Sequence, residues 1–229
     1  MNNRDTILKN YVDIKKKIQD FSEGRHVDIV LATKYVDIDT IKWAQENFDF
    51  LAAGENKVQE FSLKYTPEIN WHFIGTLQTN KVKKIIGKVE LIHSLNRFEL
   101  ADEIDRVALI LNTKQKVLIE VNVGEEETKT GLFINKVIPF IEKVKNNYHN
   151  IEIVGLMGML PKDISQVKQE YYFKKLRDLR EQIYGMDNNI NILSCGMSSD
   201  YLNAIKFAKS NMVRIGQLVF GQRESKDVR

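Results

Sequence analysis

A regular alternation limits the possible folds of this chain more than any other feature. Short apolar or β-branched runs recur at 28–34 (DIVLATK), 50–53 (FLAA), 71–77 (WHFIGTL), 91–95 (LIHSL), 116–123 (KVLIEVNV), 151–158 (IEIVGLMG), 191–198 (NILSCGMS) and 212–220 (MVRIGQLVF). Between them lie segments of helical character at 38–47, 56–65, 79–86, 97–111, 133–148, 164–184 and 200–208. Strands that alternate with helices imply parallel pairing through crossover helices. Eight such units in 229 residues point to a closed (βα)8 barrel of the TIM type, with a doubly wound open sheet as the alternative. Ile7, Leu8, Tyr11, Val12, Ile14 and Ile18 follow helical spacing with lysines on the other side, which adds a helix before the first strand. None of the three prolines (Pro67, Pro139, Pro161) sits in a Gly/Ser-rich stretch, so residues 1–229 are expected to form one domain.

The strands carry a second pattern, because a period of two puts successive side chains on opposite faces. Val117, Ile119, Val121 and Val123 share one face and Glu120 and Asn122 the other. Met212, Arg214 and Gly216 oppose Val213 and Ile215, and His72, Ile74 and Thr76 oppose Trp71, Phe73 and Gly75. The apolar sets suit outer helices. The mixed sets then point into the barrel, and polar groups near strand C-terminal ends are where barrel sites are built.

Lys34 ends the first run. By alternation with Val30 and Ala32 it points inward, where desolvation lowers an amine pKa and makes it a nucleophile for an aldehyde. The competing reading is a lysine that caps the strand in solvent. In GMSSD, residues 196–200, Ser198 or Ser199 reads either as a helix N-cap, with Asp200 in the first turn, or as a hydroxyl for a phosphate. In VRIGQLVFG, residues 213–221, Gly216 allows close approach of a ligand, and loops after the seventh and eighth strands commonly form a phosphate site in barrels. Arg214 needs an acceptor inside, a ligand or an ion pair with Glu120. At other strand ends Asn56 is available to a ligand, Lys129 could reach an anion, Met157 offers a packing wall, and His72 reads as a hydrogen-bonded core histidine.

Net charge of +3 with interspersed signs argues for neither nucleic acid nor membrane. One cysteine, Cys195, permits no disulfide within the chain, and the four histidines share no ligand spacing, so no metal site is expected. No stretch has the length and apolarity of a membrane span, and the N-terminus lacks an apolar signal core. A cytoplasmic location is expected by elimination.

The stretches VLATK, GENKVQE, WHFIGTLQTNK, ETKTG, GLMGM, SCGMSSDY and MVRIGQLVFG, in this order from about residue 28 to 224, resemble the pyridoxal phosphate homeostasis protein family, single-domain relatives of alanine racemase. Each stretch alone is weak; the ordered set is specific. The resemblance implies an alanine-racemase-type barrel in which Lys34 holds pyridoxal 5′-phosphate as a Schiff base. It implies that Ser198 or Ser199, with the backbone N–H groups of Gly216 and Gln217, holds the phosphate. Arg214 would face the pyridine nitrogen, and Asn56, His72 and Met157 would line the pocket. Val36 stands where many members have a second lysine, and Gln217 stands where Thr or Ser is common; Cys195 replaces a usual apolar residue.

An arginine at the ring nitrogen gives it no proton, which weakens the ring as an electron sink. Racemisation also needs a second base, which in alanine racemases comes from a β-rich domain of the partner subunit, and this chain ends about ten residues after the eighth run. The expected function is therefore reversible holding of the cofactor and its supply to apo-enzymes by a monomer. A weak amino-acid racemase is the alternative, and a Schiff-base barrel acting on a sugar phosphate is a third reading.

Overall fold

The computed structural model describes residues 3–221. Its strands are β1 (Asp28–Ala32), β2 (Ala52–Glu55), β3 (Trp71–Phe73), β4 (Leu91–Leu95), β5 (Gln115–Val121), β6 (Ile151–Gly158), β7 (Ile192–Ser194) and β8 (Met212–Ile215). They pair in parallel, in chain order, and close when β8 returns to β1 with Arg214 opposite Val30. The closed barrel is thus the architecture, and the open sheet is excluded. The helices are α1 (Asn3–Ser22), α2 (Ile38–Asn47), α3 (Val58–Lys64), α4 (Phe98–Ile110), α5 (Ile134–Asn147), α6 (Gln166–Met186), α7 (Tyr201–Asn203) and α8 (Gln217–Phe220). A 3-10 turn at Thr79–Lys84 takes the helix position between β3 and β4, and a π-helical turn at Ala204–Ala208 extends α7.

The period-two pattern sorts the side chains as expected. Val117, Ile119, Val121 and Val123 pack with Trp71 and Phe73 in the core between barrel wall and helices. A separate cluster inside the barrel joins Val30, Leu91, Leu118, Met157 and Met212. The eighth crossover position is filled in an unexpected way. α8 has only four residues, too short to cover β8 and β1. α1 takes that place: Ile7, Tyr11, Ile14 and Ile18 are buried against Ile29, Leu31, Val213, Ile215 and Val219.

Several strand ends differ from the sequence expectation, with β3 stopping at Phe73 and β7 at Ser194, and two of them shape the barrel mouth. The run 212–220 is not one strand: it stops at Ile215, bends at Gly216 and continues as α8. A Cβ on Gly216 would lie 2.8 Å from the Ala32 carbonyl oxygen, so this glycine serves close contact between chain segments. The first strand ends at Ala32 rather than at Lys34. No described helix is long and apolar enough to cross a membrane.

Candidate functional site

The C-terminal ends of the strands form the mouth at which barrels of this type place their chemistry. Lys34 lies there, in the turn just after β1. It is exposed, which corrects the expectation of a buried amine. Alternation stops with the strand at Ala32, and the chain turns through Tyr35 in the left-handed region (φ 59°). The Lys34 Nζ lies 4.8 Å from the centre of the Tyr35 ring, and the Lys57 Nζ lies 5.8 Å from it.

Asn56 follows β2. Its side-chain Oδ1 is buried and has no hydrogen-bond partner. A buried acceptor in that state costs free energy that a donor would recover. Its backbone is seated on Gly75, where a Cβ would stand 2.1 Å from the Asn56 carbonyl oxygen. Gly75→Ala is therefore expected to displace this turn and lower stability by about 2 kcal/mol, read from the urea midpoint; an unchanged midpoint would refute the close seating.

On the opposite flank of β1, the turns after β7 and β8 are tied together. The Leu218 N–H donates to Ser198 Oγ (3.4 Å), and the Arg214 N–H donates to the Gly196 carbonyl (3.0 Å). Neither Ser198 nor Ser199 is an N-cap, as one reading had it. Asp200 occupies the cap position of α7, and its Oδ1 turns back to accept the Met197 N–H (2.7 Å). That leaves Ser198 half-buried, with Ser199 and the Gln217 side chain exposed. Burial raises the Asp200 pKa above the usual carboxylate value.

The interior holds a polar chain that the sequence reading only partly anticipated. Arg214 is buried, and it donates through Nη1 to the Ser194 carbonyl (2.8 Å) and to Ser194 Oγ (2.7 Å). Through Nη2 it donates to the Gly158 carbonyl (3.3 Å). Ser194 Oγ lies 3.2 Å from His93 Nδ1, and His93 Nε2 lies 3.1 Å from His72 Nδ1. Arginine only donates, so Ser194 Oγ accepts from it, and one arrangement of the remaining protons gives every donor in the chain an acceptor. The Ser194 hydroxyl donates to His93 Nδ1, His93 Nε2–H donates to His72 Nδ1, and His72 keeps its proton on Nε2. Burial holds both histidines neutral, His72 down to about 4 and His93 well below its ordinary value.

The ion pair considered for Arg214 and Glu120 is not made. Glu120 instead accepts from Asn96 Nδ2 and Thr130 Oγ1, each at 2.6 Å. Met157 is buried in the interior apolar cluster, and His72 is the hydrogen-bonded core residue of the chain just described. Lys129 lines a cavity of about 160 Å³ between the ends of β5 and β6, together with Glu120, Thr130, Met159 and Met197. Met197 connects that cavity to the turn bearing Ser198. Among the described residues, no group of His, Cys, Asp or Glu could hold a metal ion.

Sequence reasoning missed His93, Ser194 and the Glu55–Glu60–Lys64 cluster beneath the Lys34 turn. The parity of Ser194 with Ile192 was a usable signal. So was the four-residue spacing of Glu60 and Lys64.

The family model for the alanine racemase N-terminal domain matches residues 64–224. A pyridoxal phosphate homeostasis protein of Aquifex aeolicus is 46% identical over 177 residues, covering 75% of this chain and 76% of that one. This chain belongs to the pyridoxal phosphate homeostasis protein family. A family member from Schizosaccharomyces pombe is 34% identical over 223 residues, 92% of this chain and 90% of that protein. The fold is shared with PipY of Synechococcus elongatus, whose structure holds bound pyridoxal phosphate (TM-score 0.81, 23% identity, 94% of this chain and 100% of that one).

Proposed function

We propose that this chain binds pyridoxal 5′-phosphate at the barrel mouth, with Lys34 as the covalent anchor, and holds it for supply to apo-enzymes. The observation that carries the reading is the pairing, at one mouth, of an orphaned Asn56 amide oxygen with two turns joined through Ser198 and Leu218. The donor set fits the group. Lys34 supplies the primary amine. Ser198, Ser199 and the backbone N–H groups of Gly216 and Gln217 offer donors to the phosphate. Asn56 Oδ1 accepts from a donor on the ligand. Arg214 faces the pyridine nitrogen, held by Ser194 and Gly158, while His72 and Met157 form the floor.

When bound, the cofactor supplies an aldehyde for the amine and a conjugated ring able to take up electron density. Arg214 cannot give up its role as a donor-only cation, so it disfavours a protonated ring nitrogen. That supports a holding role over turnover, in line with the names of the curated relatives. The proposal includes a monomer acting in the cytoplasm, with apo-enzymes as its protein partners and neither nucleic acid nor membrane.

The test is an absorbance spectrum of protein mixed with pyridoxal phosphate, before and after borohydride, followed by mass mapping. The wild type should gain a visible band and a borohydride-fixed adduct on the Lys34 peptide. Lys34→Ala should lose both. A band that persists in Lys34→Ala would overturn the assignment.

A further inference from the structure

Lys34 has an exposed side chain on a turn with a strained neighbour, so something must hold its backbone if its amine is to meet a ligand in one geometry. The structure supplies the holder between β2 and α3. Thr33, before Lys34, offers its carbonyl to the Lys64 Nζ (2.9 Å), and its hydroxyl donates to Glu55 Oε1 (2.8 Å). Tyr35, after Lys34, donates its N–H to Glu60 Oε1 (2.5 Å). Lys64 Nζ ties these together, donating to Glu55 Oε1 at 2.7 Å and to Glu60 Oε1 at 2.6 Å. The three side chains are nearly closed to water: 11% exposed for Lys64, 0% for Glu55 and 16% for Glu60. Both neighbours of Lys34 thus end on a single buried cluster of one ammonium and two carboxylates.

We propose that Glu60 and Lys64 are positioning residues for Lys34, a clamp that fixes the turn from both sides so that the amine is preorganised for the cofactor. This rests on the pyridoxal phosphate reading above. Tyr35 has no glycine-like freedom at φ 59°, and a left-handed residue persists only where its surroundings hold it. The turn closes on itself where the Val36 N–H donates to the Thr33 carbonyl (2.9 Å), and the Glu60 bond to the Tyr35 N–H is the contact that ties this left-handed residue to α3. An ordinary buried ion pair would support the fold without regard to the Lys34 turn. The clamp requires that the cofactor site loosen when the bond to the Tyr35 N–H is lost, even where the Lys64–Glu55 pair remains.

The test compares the wild type with Glu60→Ala, Glu60→Gln and Glu60→Asp, using pyridoxal phosphate itself as the probe. Cofactor affinity is read by absorbance titration, Tyr35 mobility by amide hydrogen exchange without cofactor, and stability by thermal melting. Glu60→Ala keeps Lys64 paired with Glu55. It should weaken cofactor binding about tenfold, the loss expected for one charge-assisted hydrogen bond, and should speed Tyr35 exchange. Glu60→Gln keeps an Oε1 acceptor and should recover most of both. Glu60→Asp keeps the charge but withdraws it from the Tyr35 N–H. It should repeat the loss, and it decides the matter if Glu60→Ala does not fold.

Unchanged affinity and unchanged Tyr35 exchange in the folded variants would reduce the cluster to a structural ion pair and overturn the clamp. A wild-type protein that fixes no cofactor on Lys34 would overturn the clamp together with the functional reading, and that failure is recognisable because it appears before any substitution.

Discussion

Deleting the first 22 residues is expected to unfold the barrel. These residues look like a leader outside the repeating βα units, yet α1 covers the strands that the four-residue α8 is too short to cover. It buries Ile7, Tyr11, Ile14 and Ile18 on the outer faces of β1 and β8. Burial of side chains of this size contributes roughly 1.5–3 kcal/mol each, so the four together supply about 6 kcal/mol or more. That is comparable with the whole stability of an ordinary domain, about 5–15 kcal/mol. The deletion would also leave Ile29, Leu31, Val213 and Ile215 facing water on adjacent strands. α1 further holds α8 in place, since Asn10 Nδ2 donates to the Val219 carbonyl (3.1 Å). Loss of α1 should therefore release the turn proposed to carry the phosphate as well as the wall behind it. Circular dichroism melting is the measurement. The truncated chain should show no cooperative transition near that of the full chain. The paired substitution Leu8→Ala and Val12→Ala on the exposed side of α1 (39% and 56% exposed) should change the melt little. A truncated chain that melts like the full one would mean that α1 is an appendage.

What the sequence made legible was the periodic part of the fold. Strand number and parallel order follow from the alternation of strand-like and helical runs, the sense of β3, β5 and β8 follows from their period of two, and Val117, Ile119 and Val121 fall where it places them. The element ends were harder to read. Leu218, Val219 and Phe220 form a run that suits a strand, but they sit in a four-residue helix because the chain has bent at Gly216 against Ala32. The turn at Lys34 carries no Gly or Asn to announce its left-handed residue, so alternation was carried two positions too far. The site's supporting contacts were the least legible, because they join residues far apart in the chain. Ser194 meets His93 across 101 positions, and Lys64 meets Thr33 across 31. Local spacing can suggest that Glu60 and Lys64 pair; it has no means to say which backbone they hold.

The chain from Arg214 to His72 makes a second large expectation, on acidification. Both histidines are buried and neutral in the folded protein, with burial lowering His72 to about 4 and holding His93 well below its ordinary value. An unfolded histidine titrates near 6.5. At pH 7 the folded histidines are neutral and an unfolded one is only about a quarter protonated, so the histidines alter stability little. As pH falls below 6.5 the unfolded chain takes up protons that the folded chain refuses. The unfolded state then binds more protons, so stability falls with pH, and for His72 the fall continues until about pH 4. At pH 5 the loss from His72 alone is about 2 kcal/mol. Burial raises the pKa of Glu55, Glu120 and Asp200, and these work in the opposite sense, since the folded state accepts their protons first. The raw stability curve therefore mixes the two signs, and a difference between variants separates them. In His72→Gln the side-chain oxygen can still accept the His93 Nε2–H, but nothing titrates at that position. Urea unfolding of both proteins at pH 7 and pH 5 should show the wild type losing about 2 kcal/mol more than the variant over that interval. Parallel losses would mean that His72 is protonated inside the folded barrel. The directed chain would then have to reverse at His93, because a charged His72 donates from both nitrogens and His93 Nε2 would have to accept. His93 would then carry its proton on Nδ1, aimed at Ser194 Oγ, where Arg214 already donates. Parallel losses would therefore assign the proton on His93 as well as the charge on His72, whereas the expected difference assigns the charge on His72 alone.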